Sequence, residues 1–423
     1  MNRLPNHQRV ATWGTTVAAL ALAFSVGCGT TPDADGLNFA GQGAELARLK
    51  RDIHKVDKSI EVTKELIRRS KGERYLPDLY FRLAELNIEK SRTVYFRILE
   101  EAGADDKTAV VAPEARLLKD QAIAVYRRIL NEFPDYPDND KIMFFISHEY
   151  RELGNFEEMI KNYKELIAKY PKSQFRFESW LILGDYYFAK GDIDEAIANY
   201  RSILKNPETY AHNMARYKLA WCYINKDKNS LAVDLWEQAI KTPTPPEPGT
   251  DANLSSLSDK PKRLDVRQDA LRDLAYYYAE ARDPKTALPF FQNLTVSRQE
   301  YKTALEKLAR RFQIKTMYEE SAKVYRELIR ISADVDRNLE WAEAVYEAAV
   351  AAKDLAHADA DVIMLAEVSA RFKYWWRAND EDKKILKDFE MLTRDLSTRL
   401  HALAKEKGDP DLYARAANAY ESY

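Results

Sequence analysis

The chain has 423 residues, enough for two or three ordinary domains or for one elongated repeat array. Its 65 basic and 67 acidic side chains leave a net charge of -2, so no long-range field draws nucleic acid or an anionic membrane to the body. Hydrophobic residues make up 46% and glycine only 13 positions, six of them before residue 44. Hairpins and phosphate loops need left-handed turns, so this scarcity argues against both and favours an all-α chain.

The first segment, "MNRLPNHQR", carries Arg3 and Arg9 and no acid, and "VATWGTTVAALALAFSV" follows for 17 residues without a charge. That is the basic and then apolar order of a secretion signal. Trp13, Gly14 and three threonines make its strongly apolar part shorter than the ~20 residues of a membrane span. Gly27-Cys28, which comes next, resembles the end of a bacterial lipoprotein signal. The resemblance implies a signal over 1-27 and a lipid on Cys28, the new N-terminus. Ser25 departs from the pattern, where a leucine-like residue is usual. Ordinary secretion, with Cys28 incidental, is the alternative. Residues 28-43, rich in Gly, Thr and Asp, read as a flexible tether. Gly29 follows the cysteine with no aspartate, which in that family implies outer-membrane retention with the body in the periplasm of a Gram-negative bacterium.

From Ala44 apolar residues recur at three and four, the helical period, with no strict alternation. "KIMFFISHEYRELGNFEEMIKNYKELIAKYPKS" and "FESWLILGDYYFAKGDIDEAIANYRSILKNPE" share one plan. A helix runs to Gly154 or Gly191, a second begins at once, and Pro171 or Pro207 ends it. These stretches resemble tetratricopeptide repeats, whose period is about 34 residues. Ile146, Ser147, Tyr150, Gly154, Phe156, Tyr163 and Pro171 match in the first, with Met159 where a small residue is usual. Trp180, Leu183, Gly184, Tyr187, Gly191, Ala196 and Tyr200 match in the second. Leu219, Ala220, Tyr223, Ala232 and Trp236 continue the pattern, then Leu274, Ala275, Tyr278, Ala287 and Phe291, then Leu308, Ala309, Phe312, Tyr318 and Tyr325, with Ser321 for the small residue. Upstream, "LPDLYFRLAELNIEKSRTVYF" and "DQAIAVYRRILNEFP" look like one lengthened pair. The resemblance implies antiparallel helix pairs stacked in a right-handed superhelix, a solenoid.

The expected organisation is therefore an N-terminal array over 44-241, a Pro/Ser-rich loop over 242-264 and further repeats over 265-335. The loop exceeds a simple connector and reads as a solvated surface or a partner-binding segment. Over 336-423 the glycine punctuation disappears, and longer helices are expected. After them, "DPDLYARAANAYESY" looks like part of another repeat, with Ala416 and Tyr420 in its small and aromatic places.

Catalytic chemistry leaves no trace in the sequence. The six histidines lie far apart, and HExxH, CxxC, GxSxG, GxGxxG and P-loop patterns are absent. No metal or cofactor is expected, and Cys222 in "KLAWCYI" reads as a small buried hydrophobe. Binding remains. In such repeats the first helix of each pair lines the concave face. Counting along the register puts Phe144, His148, Arg151, Leu181, Asp185, Phe188, Tyr217, Trp221, Arg272 and Tyr276 in a groove, where aromatics and arginine suit interface anchors. Packing against neighbouring repeats is the competing role for the aromatics. Tyr374, Trp375 and Trp376 cannot all face one core, because successive helical residues turn by about 100°. They are a candidate second interface.

The stretch "RRSKGERYLPDLYFRLAELNIEKSR" resembles a segment of tetratricopeptide lipoproteins of myxobacteria, including those of the adventurous gliding motility machinery. That resemblance implies a scaffold gathering envelope proteins. The layout is also similar to the tetratricopeptide lipoprotein of outer-membrane protein assembly, which is shorter and lacks the long C-terminal helices. An enzyme or accessory acting on peptidoglycan is the reading from another class, although no catalytic domain is visible for it.

Overall fold

The computed structural model describes residues 38-103, 112-207, 209-243, 266-332, 335-353, 355-371 and 380-422. Cys28, the signal and most of the tether, nearly all of the loop over 242-264, and Tyr374, Trp375 and Trp376 lie outside them. Among the described residues there are 17 α-helices, one short 3-10 turn and no strand. These residues fall into two compact units, one closing at Lys205 and the other opening at Asn206. The division falls inside the array expected over 44-241, not at the Pro/Ser-rich loop.

The first unit comprises α1 (Asn38–Arg69), α2 (Leu76–Ala102), α3 (Pro113–Glu132), α4 (Asn139–Glu152), α5 (Phe156–Lys169), α6 (Phe175–Lys190) and α7 (Ile193–Leu204). Each packs on the next, and α4 also meets α6. Consecutive helices in contact across short turns form antiparallel hairpins. The lengthened first pair is visible directly: α2 and α3 have 27 and 20 residues, against 14 for α4 and α5. Pro77 and Pro113 stand in their first turns, where the missing N–H costs no helical bond. Tyr80, Ala84 and Ile88 of α2, Tyr126 and Ile129 of α3, and Ile142 and Ile146 of α4 share one core.

The second unit comprises α8 (His212–Asn225), α9 (Asn229–Lys241), α10 (Val266–Ala281), α11 (Ala287–Leu294), α12 (Arg298–Ile314), α13 (Tyr318–Ile331), α14 (Val335–Ala352), α15 (Ala358–Arg371), α16 (Asp380–Lys407) and α17 (Pro410–Ser422). First helices meet first helices along it, α8 on α10 and α10 on α12. Of the longer helices expected over 336-423, α16 has 28 residues, but α15 has an ordinary 14. In α17, Ala416 is buried as its place implies, but Tyr420 is exposed and lies edge-on to His401.

The repeat register explains the packing. Ser147, Ala220, Ala275 and Ala309 are buried at the small place of the first helices, and Gly184 occupies that place in α6. Opposite them on the second helices, Tyr163, Tyr200, Trp236, Phe291 and Tyr325 are buried. A small residue on one helix leaves room for a ring from the other, which supplies most of the area removed from water. Met159 fits without a small side chain, packing on Tyr163, Ile182 and Leu183.

Within and between pairs, side chains at the start of one helix satisfy carbonyls that another helix end leaves orphaned. Asn139 donates to the Phe133 and Pro134 carbonyls at 2.8 and 3.0 Å, and Asn213 to Thr242 at 2.7 Å. Arg267 reaches the Ile240 and Leu294 carbonyls, and Arg298 that of Ile331.

In several pairs the turn is left-handed even where glycine is lost. Gly154 and Gly191 have φ of 73° and 83°, while Asp227, Thr316 and Lys353 take 56°, 59° and 54° at corresponding turns. The following N–H bonds back to an aromatic residue's carbonyl at 2.9 Å each time: Asn155 to Tyr150, Asp192 to Tyr187, Lys228 to Tyr223, Met317 to Phe312. Packing of the two helices imposes the conformation, so the punctuation outlasts the glycines that announce it. Left-handed backbone costs an L-residue about 1–2 kcal/mol, and glycine loses up to about 1 kcal/mol more entropy on folding. Thr316→Gly is therefore expected to stabilise the second unit by about 0.5–1 kcal/mol, read from the urea midpoint; Thr316→Ala, still strained, should give little.

Candidate functional site

In the first unit α1, α2 and α4 frame a cleft of about 680 Å³, with Tyr126 of α3 in its lining. Glu85, Ile88, Glu89, Arg92 and Phe96 of α2 line it at helical spacing, so they form one stripe. From α4 come Phe144, Phe145, His148 and Glu149.

Two groove candidates thus lie together here. Phe144 is half-buried and stacks on Phe175 at 5.1 Å, with Tyr163 at 5.8 Å, so part of its surface serves packing. The Nδ1 atom of His148 lies 3.5 Å from Glu149. Glu149 is buried, and Lys119 of α3 approaches it to 3.2 Å. Burial pushes the Glu149 carboxyl up, but His148 and Lys119 outweigh it and hold the group below its ordinary range. Arg151 stands outside the cleft lining, 3.7 Å from Glu152.

The α6 candidates do not make a free surface. Leu181 is only 8% exposed and belongs to the interior, because α6 is packed by α4, α5 and α7. Asp185 is exposed but accepts a 2.6 Å bond from the Tyr200 hydroxyl, tying α6 to α7. Phe188 is half-buried near the turn, where its carbonyl accepts from Gly191.

In the second unit the chosen residues converge, largely into contacts between helices. Tyr217 is 5% exposed, so it is a packing residue; its hydroxyl donates to Asp273 of α10 at 2.8 Å. Burial, with Asp273 beside it, pushes the Tyr217 phenol up. Burial also raises the Asp273 carboxyl, against the hydrogen bond from Tyr217. Trp221 lies edge-on to Trp236 at 5.5 Å and to Tyr277 at 5.9 Å, joining α8, α9 and α10. Tyr276 carries the Arg311 guanidinium 4.1 Å above its ring and accepts a 2.8 Å bond from it. Arg272 is exposed and paired with Asp269.

Sequence counting missed the α2 wall. It began at α4, and α2 precedes the clear repeats; Glu85, Glu89, Arg92 and Phe96 at spacings of four, three and four were the available signal. Among the described residues no group of three His, Cys, Asp or Glu is placed to hold a metal, and no helix is long and apolar enough to cross a membrane. Cys222 is a buried free thiol.

A tetratricopeptide repeat model matches residues 146-209 and 181-248. No curated protein matches the chain. Among solved structures, the C-terminal part of a tetratricopeptide repeat-containing protein from Cytophaga hutchinsonii is similar at 14% identity, covering 72% of this chain and 98% of that one, with a TM-score of 0.39. A tetratricopeptide repeat protein from Parabacteroides merdae is similar at 13% identity, covering 73% and 98%, with a TM-score of 0.33. The matched repeats coincide with α4 to α9, and the chain is an all-α protein built of tetratricopeptide-type helix pairs. Repeats of this type are protein-interaction modules.

Proposed function

We propose that the protein is a non-enzymatic scaffold of the cell envelope. Its helix pairs gather partner proteins, and a lipid on Cys28 holds the body at the outer membrane, facing the periplasm. The observation that carries the binding role is the cleft of about 680 Å³, which combines aromatic rings and charged groups from four helices. The basic start, the apolar run and Gly27-Cys28 support the anchor. The resemblance of residues 68-92 supports a place in a gliding motility or related envelope machinery, and the same stretch supplies Glu85, Glu89 and Arg92 to the cleft. The absence of recognised catalytic motifs from the sequence supports a non-enzymatic role.

Affinity capture of the full chain from detergent-solubilised envelopes, with intact-mass measurement, tests this reading. A discrete set of partners in fixed ratio is expected, on a mature chain starting at Cys28 with a diacylglyceryl group. Residue 28 without the lipid removes the anchor. Muropeptides released from purified cell-wall sacculi overturn the non-enzymatic role.

A further inference from the structure

The cleft of the first unit is unevenly charged. Carboxylates of Asp52, Glu85, Glu89 and Glu149 line it, against the guanidinium groups of Arg48 and Arg92. Several of these are already engaged. Arg48 pairs with Glu45, Asp52 with Lys55 at 2.9 Å, and Glu149 with Lys119. Glu85 has only a long, exposed contact of 3.5 Å with Arg82. Glu89 and Arg92 are exposed and have no ion-pair partner among the described residues.

Aromatic rings complete the surface, and the rings of this unit already hold cations. The Lys141 ammonium lies 4.7 Å from the Phe81 ring and 5.7 Å from that of Phe145, and the Arg128 guanidinium 4.5 Å from that of Tyr80. A ring face attracts a cation and repels an anion, and nearby carboxylates reinforce the choice. Phe96, exposed beyond Arg92 on the same stripe, offers the apolar end.

We infer that this cleft receives a cationic segment of a partner protein: a Lys or Arg held by Glu85 and Glu89, next to an apolar side chain against Phe96 and Phe144. Arg92 is placed to donate to backbone carbonyls of the same segment. The volume accommodates a few side chains, not a folded domain. This rests on the scaffold reading and gives its partner a chemistry.

The test uses random short peptides displayed on phage, panned on the full chain, then synthesised and measured by fluorescence anisotropy. Recovered peptides should be positively charged with an apolar neighbour, and bind less tightly as salt rises. Glu85→Lys with Glu89→Lys should weaken them by about ten-fold or more, and Phe96→Ala by about three- to ten-fold, with helical circular dichroism unchanged. Recovery of acidic or neutral peptides, recovery of none, or equal binding to the charge-reversed variant overturns the inference. The two ideas separate in the envelope capture: partners retained in full by the charge-reversed variant sink the cationic segment and leave the scaffold standing.

Discussion

Arg326→Met is expected to destabilise the second unit by about 3–5 kcal/mol. Arg326 of α13 makes two parallel bonds of 2.7 Å to the carboxylate of Asp361 on α15, whose side chain is only 2% exposed. A carboxylate stripped of its partner at that depth has no water to replace it, so the penalty is the desolvation of an unpaired charge. The pair need not be strongly stabilising in itself, because burying two charges costs much of what their attraction returns. The double change Arg326→Met with Asp361→Leu should therefore recover most of the loss, since apolar replacement of both partners is often neutral. Urea unfolding of the three chains separates these terms. A single substitution that costs under about 1 kcal/mol would show that water reaches Asp361 and that the pair is a surface contact.

Gly184→Ala should cost the first unit about 1–3 kcal/mol, although alanine is the better helix former by about 1 kcal/mol. A Cβ at 184 would lie 2.5 Å from Cε1 and 2.7 Å from Cζ of Tyr200, a ring that is 1% exposed. Other pairs carry Ser147, Ala220, Ala275 or Ala309 at this place, so the register itself admits a Cβ. What differs is Tyr200, whose hydroxyl reaches Asp185 on the first helix at 2.6 Å and holds the ring close to α6. Adding Tyr200→Phe releases that bond and lets the ring move back, so the double variant should lose less than the two single changes together. A rise in thermal midpoint for Gly184→Ala alone would mean the ring shifts freely.

The hairpin register was legible because it depends on residue size at fixed spacing. Small residues at Ser147, Gly184 and Ala220 and rings at Tyr163, Tyr200 and Trp236 announce their own packing. The turns were legible only while glycine marked them; Thr316 and Lys353 adopt the same left-handed backbone under tertiary constraint, which no local propensity signals. The groove face was harder to read. Nine of the 14 residues of α8 are buried, so a helix packed on most sides gives no polar face to count from, and Tyr217 falls inside. Leu181 follows the same logic on α6. The α2 wall escaped because its pair is lengthened and precedes the clear consensus, yet its exposed Glu89, Arg92 and Phe96 form the more open surface.

Site-specific photo-crosslinking in intact envelopes puts the binding role to its most direct test. The photoreactive p-benzoylphenylalanine would replace either Phe96, exposed at the cleft, or Leu117, exposed on α3 away from it. A scaffold that works through this cleft predicts crosslinks from position 96 to a discrete partner protein, lost on Glu85→Lys with Glu89→Lys, and none from position 117. Crosslinks from position 117 alone, or equally from both, would contradict it.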